Sequence, residues 1–182
     1  MSPIFHKFFC ILCLLIMASF FSCNEKEKDS MSKEEFDKFH KEPLVLANKG
    51  LIIKDIEVIE GFIRRRNWKM QQNASGLWYS IYKEGDGRNA QTGFFAVINY
   101  KIQLLDGSVC YSSDSLGQKK FRIGEGGVAQ GLEQGVLLMK EGSKAHFIMP
   151  PYLAFGLLGD FERIPPRSTI VYDVELVSIE EQ

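Results

Sequence analysis

The chain has 182 residues, 45% of them hydrophobic and 25% charged, with a formal net charge of −1. That composition allows one globular domain with extra parts. The near-neutral balance lacks the basic excess of a nucleic-acid binder, so no nucleic acid is expected as a partner.

The first element is an uncharged stretch. After Lys7, FFCILCLLIMASFFSC runs to Cys23 without a charge. It falls short of the roughly 18 to 20 residues that a spanning helix needs. A basic start, a short apolar run and small residues near its end predict a secretory signal over residues 1–22. Ser22-Cys23, followed at once by NEKEKDS, resembles a bacterial lipobox. The resemblance implies lipidation of Cys23 and a membrane partner reached through acyl chains, two of which suffice for stable attachment. Cys10 and Cys13 lie within the signal, so Cys110 is the cysteine left in the mature body and has no intramolecular partner.

Residues 23–43 are mostly Lys, Glu, Asp and Ser, which predicts a charged, solvated tether. An N-terminal helical segment follows over 44–75. Ile52, Ile56, Ile59 and Ile63 fall at spacings of four, three and four, a helical stripe. Arg64, Arg65 and Arg66 suit the negative end of that helix. Its apolar stripe either docks on the same domain or forms a homodimer through residues 44–72.

From residue 76 to 182 the texture is β. GLWYSIYKEGDG predicts a strand closed by a glycine-rich turn. In the next strand Phe94, Ala96, Ile98, Tyr100, Ile102 and Leu104 share one face. Asp106-Gly107 signals a hairpin. KKFRIGEGG reads as a short strand and a loop. VAQGLEQGVLLMKEG reads as one short helix with Leu132, Val136 and Met139 on a face and Gly142 as its stop. Two more strands follow, SKAHFIMPP and STIVYDVELVSIEEQ. In the last, Ile170, Tyr172, Val174 and Leu176 share a face, and Pro165 and Pro166 stiffen its entry. The predicted class is α+β: a curved antiparallel sheet wrapped around one short helix and preceded by an N-terminal helix.

Other residues that suggest chemistry have simpler readings. His146, opposite in phase to Phe147, is expected to face solvent, and no second His or Cys stands at metal-ligand spacing. The serines of YSSDS at 111–115 lack a nucleophile elbow. GEGG at 124–127 lacks the Lys-Ser/Thr of a phosphate loop. Neither a metal nor a cofactor is expected.

Three segments together resemble the FKBP family of peptidyl-prolyl isomerases. They are VINYKIQLLDGSVCYSS, GVAQGLEQGVLLMKEGSKAHFIMPPYLAFG and IPPRSTIVYDVEL, and the likeness covers about residues 76–179. The signal, tether and preceding helix make the chain similar to FKBP-type lipoproteins, those associated with gliding motility in particular. The resemblance implies an isomerase that assists the folding of exported envelope proteins. It also implies a place in the cell envelope, lipid-anchored at the periplasmic face of the outer membrane. Its substrates would be proline-containing polypeptides. Catalysis would fall to Tyr100, Phe121, Phe155 and Tyr172, and substrate contacts to Cys110, Tyr111, Val128, Ala129, Leu132 and Ile164. The Ala129 N–H would hold a substrate carbonyl.

The chemistry such a site must perform is limited. Rotating an X-Pro bond means giving up amide resonance, against a barrier of about 18–20 kcal/mol. The twisted amide carries less charge separation than the planar one, so an apolar cup binds it preferentially without acid, base or nucleophile. This chain departs from the family pattern in four places. Cys110-Tyr111 stands for Phe-Asp, Phe155 for tyrosine, Leu132 for tryptophan and Ala129 for isoleucine. Each side-chain hydrogen bond lost at Tyr111 and Phe155 is worth on the order of 1 kcal/mol, so reduced activity is expected. The alternative is an FKBP-fold binding module, a chaperone or subunit of an envelope (gliding) machine with little catalysis.

Overall fold

The computed structural model describes residues 32, 33, 38 and 41–181; the apolar run, Cys23 and most of the tether lie outside them. The compact unit that holds the sheet runs Leu46–Gln182. Helix α1 (Glu42–Arg66) ends on its three arginines. Asn67 then turns left-handed, with φ 53, and closes the helix. Its N–H donates to Arg64 O at 3.1 Å and that of Trp68 to Ile63 O at 3.2 Å, a C-terminal cap that Asn tolerates. Among the described residues no helix is long and apolar enough to cross a membrane.

Seven strands form one sheet: β1 (Gln71–Gln72), β2 (Trp78–Lys83), β3 (Phe95–Leu104), β4 (Val109–Ser112), β5 (Lys119–Arg122), β6 (Lys144–Met149) and β7 (Ile170–Glu180). The order is β1-β2-β6-β7-β3-β4, with β5 also pairing β3, and every pairing is antiparallel. Strands β4 and β5 share one edge of β3 and are separated by a single-turn helix α2 (Ser113–Leu116), where the sequence reads as a loop. The predicted turn at Asp106-Gly107 forms, with Gly107 at φ 94 and the Ser108 N–H donating to Asp106 Oδ1 at 2.8 Å.

Helix α3 (Gln130–Val136) packs on the inner face of the sheet. It is shorter than the sequence suggests. The chain leaves the helix after Val136, so Met139 is buried from a turn and Gly142, at φ 84, belongs to the next loop. Gly131 and Gly135 face the sheet. A Cβ on Gly135 would lie 2.7 Å from Phe147 Cζ, and one on Gly131 2.8 Å from Met149 Sδ. Only hydrogen at those positions lets the helix lie this low.

The outer face of the sheet is not bare. Ile59 and Phe62 of α1 form a second core with Ile148 of β6 and Val171 of β7. Strand β7 is therefore buried on both faces: Ile170, Tyr172, Val174 and Leu176 point inward, while Val171 meets α1. The isoleucine stripe is only half used. Ile59 is fully buried and Ile63 packs against the second core, but Ile52 is exposed, as are Leu51, Ile53 and Val58.

His146 lies on the outer face as expected but is only partly open to solvent, its side chain 23% exposed. Covering the outer face puts its ring flat on Trp68 (4.2 Å between centroids, 4° between planes) and against Tyr82 at 4.4 Å. Its Nδ1 is buried without a hydrogen bond and lies 3.5 Å from Asp173 Oδ1, which already accepts from the Tyr82 hydroxyl at 2.8 Å. Burial pushes the imidazole below its ordinary value, more than Asp173 raises it. The fold therefore prefers neutral His146. That preference is present in full above the ordinary value of 6.5 and is lost as pH falls through the lowered one. The thermal midpoint should fall between pH 7 and pH 5, and His146→Gln should flatten part of that slope. Identical slopes in the two proteins would show that this ring carries none of it.

Candidate functional site

The pocket residues implied by the sequence all join one hydrophobic cluster. Cys110, Phe121, Ala129, Leu132, Ile164 and Tyr172 are buried members; Tyr100, Tyr111, Val128 and Phe155 are partly buried and packed against it. The strand register explains how. Ile102 of β3 lies opposite Tyr111 of β4 on one side and Tyr172 of β7 on the other, so the three form a row across the inner face. Tyr100 is two residues along, its ring centroid 6.5 Å from that of Tyr172. Phe121 comes from further off. It lies opposite Ala96, four residues from Tyr100, or about 13 Å of strand.

A register shift in β4 does what no alternation rule foresees. Gln103 pairs with Val109 and Ile102 with Tyr111, so Cys110 is the extra residue of a bulge. Both Cys110 and Tyr111 thereby reach the core, where a regular strand would turn one of them away.

The electrostatics leave little for covalent chemistry. Burial pushes the Tyr172 phenol up, and nearby Tyr100 adds to it. Burial, then the charge of Asp160, pushes the Cys110 thiol up, so it stays a thiol at neutral pH. The Tyr111 phenol is raised mainly by its hydrogen bond to Asp160. Ala129 is the residue before the first turn of α3, at φ −56 and ψ 136. Its N–H meets no acceptor among the described residues. Apolar walls, three tyrosines and one available N–H can hold and desolvate an amide. They offer no ionised nucleophile.

The sequence reading misses the residues that fix the loop beside this cluster. Asp160 Oδ1 accepts the N–H groups of Glu162, Arg163 and Ile164 at 2.9, 3.0 and 2.8 Å. Its Oδ2 accepts the Tyr111 hydroxyl at 2.5 Å. Arg163 Nη1 donates to Cys110 O at 3.0 Å, and the Cys110 thiol faces Arg163 O at 3.5 Å. The residues in the family's Phe-Asp position thus sew β4 to the loop that carries Ile164. The same loop holds Leu157, Leu158 and Phe161 in solvent, Phe161 at 82% exposure. Gly159-Asp160 in LLGDFER was the available signal, since Asp turns the backbone by accepting amides two and three residues on.

The match to known proteins follows the same stretch. The family model described as FKBP-type peptidyl-prolyl cis-trans isomerase matches residues 86–177. The chain is 35% identical over 131 residues to FK506-binding protein 2 of Yarrowia lipolytica, covering 71% of this chain and 90% of that protein. It belongs to the FKBP-type peptidyl-prolyl cis-trans isomerase family. It is also 36% identical over 123 residues to the probable FKBP-type isomerase FkpA of Neisseria meningitidis, covering 66% of this chain but 44% of that one. It thus spans less than half the length of that relative. The crystal structure of FkpA from Escherichia coli superposes with a TM-score of 0.62 at 28% identity, over 84% of this chain and 75% of the other.

Asp160 supplies a test of the loop. Burial alone would raise its carboxyl, but the hydrogen bonds from Tyr111 and the three amides outweigh it and hold the pKa below the ordinary 3.8. Its contribution is full above that pH and is lost as pH falls through the lowered value. Hydrogen bonds to a charged group are worth about 1.5–3 kcal/mol. Asp160→Ala should therefore speed amide exchange at Arg163 and Ile164 by about tenfold or more at pH 7, leaving Phe147 in β6 unchanged. Equal exchange at all three sites in the two proteins would contradict the assignment.

Proposed function

We propose that this domain catalyses cis-trans isomerisation of X-Pro bonds in polypeptide segments, as its family description implies. The observation that carries the reading is the convergence of Tyr100, Leu132, Phe155, Ile164 and Tyr172 on one cluster beside the Ala129 N–H. The substrate carbonyl preceding proline takes that N–H. The proline ring enters among the aromatic side chains, and the desolvated amide rotates. Binding the twisted amide more tightly than the planar one lowers the barrier. In this reading Tyr172 and Leu132 form the floor and Ile164 with Phe155 the walls. Tyr111 lines the rim, its hydroxyl engaged by Asp160. In the same reading Phe121, which pairs with Ala96, takes the far edge.

A second reading is a binding module, such as a chaperone or a subunit of an envelope (gliding) machine, with little catalysis. It is favoured by one feature, the absence of a hydroxyl at Phe155 and of a carboxylate at Tyr111. The pocket variants separate the two readings. Phe155→Ala combined with Tyr172→Ala should lower kcat/KM on a proline tetrapeptide more than about tenfold, or about 1.4 kcal/mol of transition-state binding. Phe155→Tyr should raise it about fivefold, the worth of one hydrogen bond. Wild-type protein that binds proline peptides but does not accelerate their isomerisation would favour the module.

We further propose that the chain is exported, lipidated at Cys23 and held at the periplasmic face of the outer membrane, where it assists folding of envelope proteins. Support comes from the apolar run ending at Ser22-Cys23 and the charged residues after it. Cys23→Ser should leave the domain folded and release it from the membrane fraction; membrane retention of that variant would overturn the anchor. A homodimer through residues 44–72 is proposed on the exposed Leu51, Ile52, Ile53 and Val58, and a monomer in sedimentation would remove it.

A further inference from the structure

The loop between Phe155 and β7 is closed at its base by Arg167, whose N–H donates to Gly156 O at 3.1 Å. Within it, Gly159 passes so close to Ile164 O that a Cβ would lie 2.2 Å away. Arg167 holds φ 58, a left-handed conformation that disfavours arginine. Its side chain shows what holds it there. Nη2 donates to both carboxylate oxygens of Asp55, at 2.8 and 2.9 Å. Asp55 belongs to α1, on the other side of a gap. One groove, of about 390 Å³, includes Val58 and Leu104; a second, of about 300 Å³, includes Ile52, Tyr152 and Leu157. Asp55 and Arg167 line both. The pair is thus a strut between two hollows, with side chains 16% and 31% exposed. The apolar docking of α1 lies further along the helix, at Ile59 and Phe62.

We propose that Asp55 and Arg167 are positioning residues for the isomerase pocket. Through this ion pair α1 fixes the Ile164-Pro165-Pro166 wall and the spacing between Phe155 and Ile164. The proposal rests on the isomerase reading above. Without the strut, the loop must be ordered each time substrate binds. That cost falls on ground state and transition state alike, so it enters KM rather than kcat.

The test uses the full chain with Asp55→Asn and Arg167→Asn. Asparagine accepts the left-handed backbone, so the second variant removes the guanidinium without adding strain. Each should raise KM for a proline tetrapeptide about three- to tenfold, in the range of couplings of this kind, with kcat and thermal midpoint nearly unchanged. The double variant should be no worse than either single one, and Asp55→Glu should recover part of the loss. The Arg167 N–H should exchange faster by a similar factor in Asp55→Asn. Unchanged KM together with unchanged exchange overturns the proposal. So does a loss that tracks a fallen thermal midpoint and adds up in the double variant. If the wild-type protein does not isomerise at all, the isomerase reading fails and exchange alone decides. Faster Arg167 exchange in Asp55→Asn then keeps the strut, and unchanged exchange removes it.

Discussion

The site depends on how low α3 lies against the sheet. Gly131 and Gly135, four residues apart, present backbone rather than side chains to Met149 and Phe147. That contact sets the height of Leu132, which follows Gly131 and is fully buried. It also sets the position of Ala129, whose N–H opens the helix. Any side chain at either glycine would lift the helix and move Leu132 away from Tyr172. The rest of the cluster is built outward from this approach.

The second organising fact is a sheet covered on both faces. A strand such as β7 normally offers one face to water in an antiparallel sheet. Here α1 buries Val171 and Ile148 from outside while α3 and the core bury Tyr172 and Phe147 from inside. The strands that carry Tyr172 and Phe147 are held between two layers. Stiffness of that kind would suit the proposed isomerase site, since rigidity lowers the entropy lost on binding.

The chemistry of the cluster follows from what burial does to its titratable groups. Tyr172 and Cys110 are pushed toward their neutral forms by desolvation, and Tyr111 by its bond to Asp160. The charges lie one layer out, on Asp160, Glu162 and Arg163, where they tie loop to strand. A neutral interior with a charged clasp favours an amide that is losing its charge separation. It disfavours chemistry that needs an anion.

The sequence by itself determined the strand faces, the presence of the short helix and the turn at Asp106-Gly107, while the candidate site residues came from the family resemblance. The first three are local matters: period two, glycine and proline punctuation, and motifs close along the chain. It left open whether the isoleucine stripe would dock, because an amphipathic face does not name its partner. Tertiary structure decided that. It divided the stripe between a docked half at Ile59 and an exposed half at Ile52, and it drew His146 under Trp68 and Tyr82. It also decided the bulge at Cys110, the clasp from Tyr111 to Asp160 and the strut from Asp55 to Arg167. The clasp and the strut join residues far apart in the chain, 49 positions for the first and 112 for the second. No periodicity in one segment encodes a distance to another, and only the folded sheet brings such partners within hydrogen-bond reach.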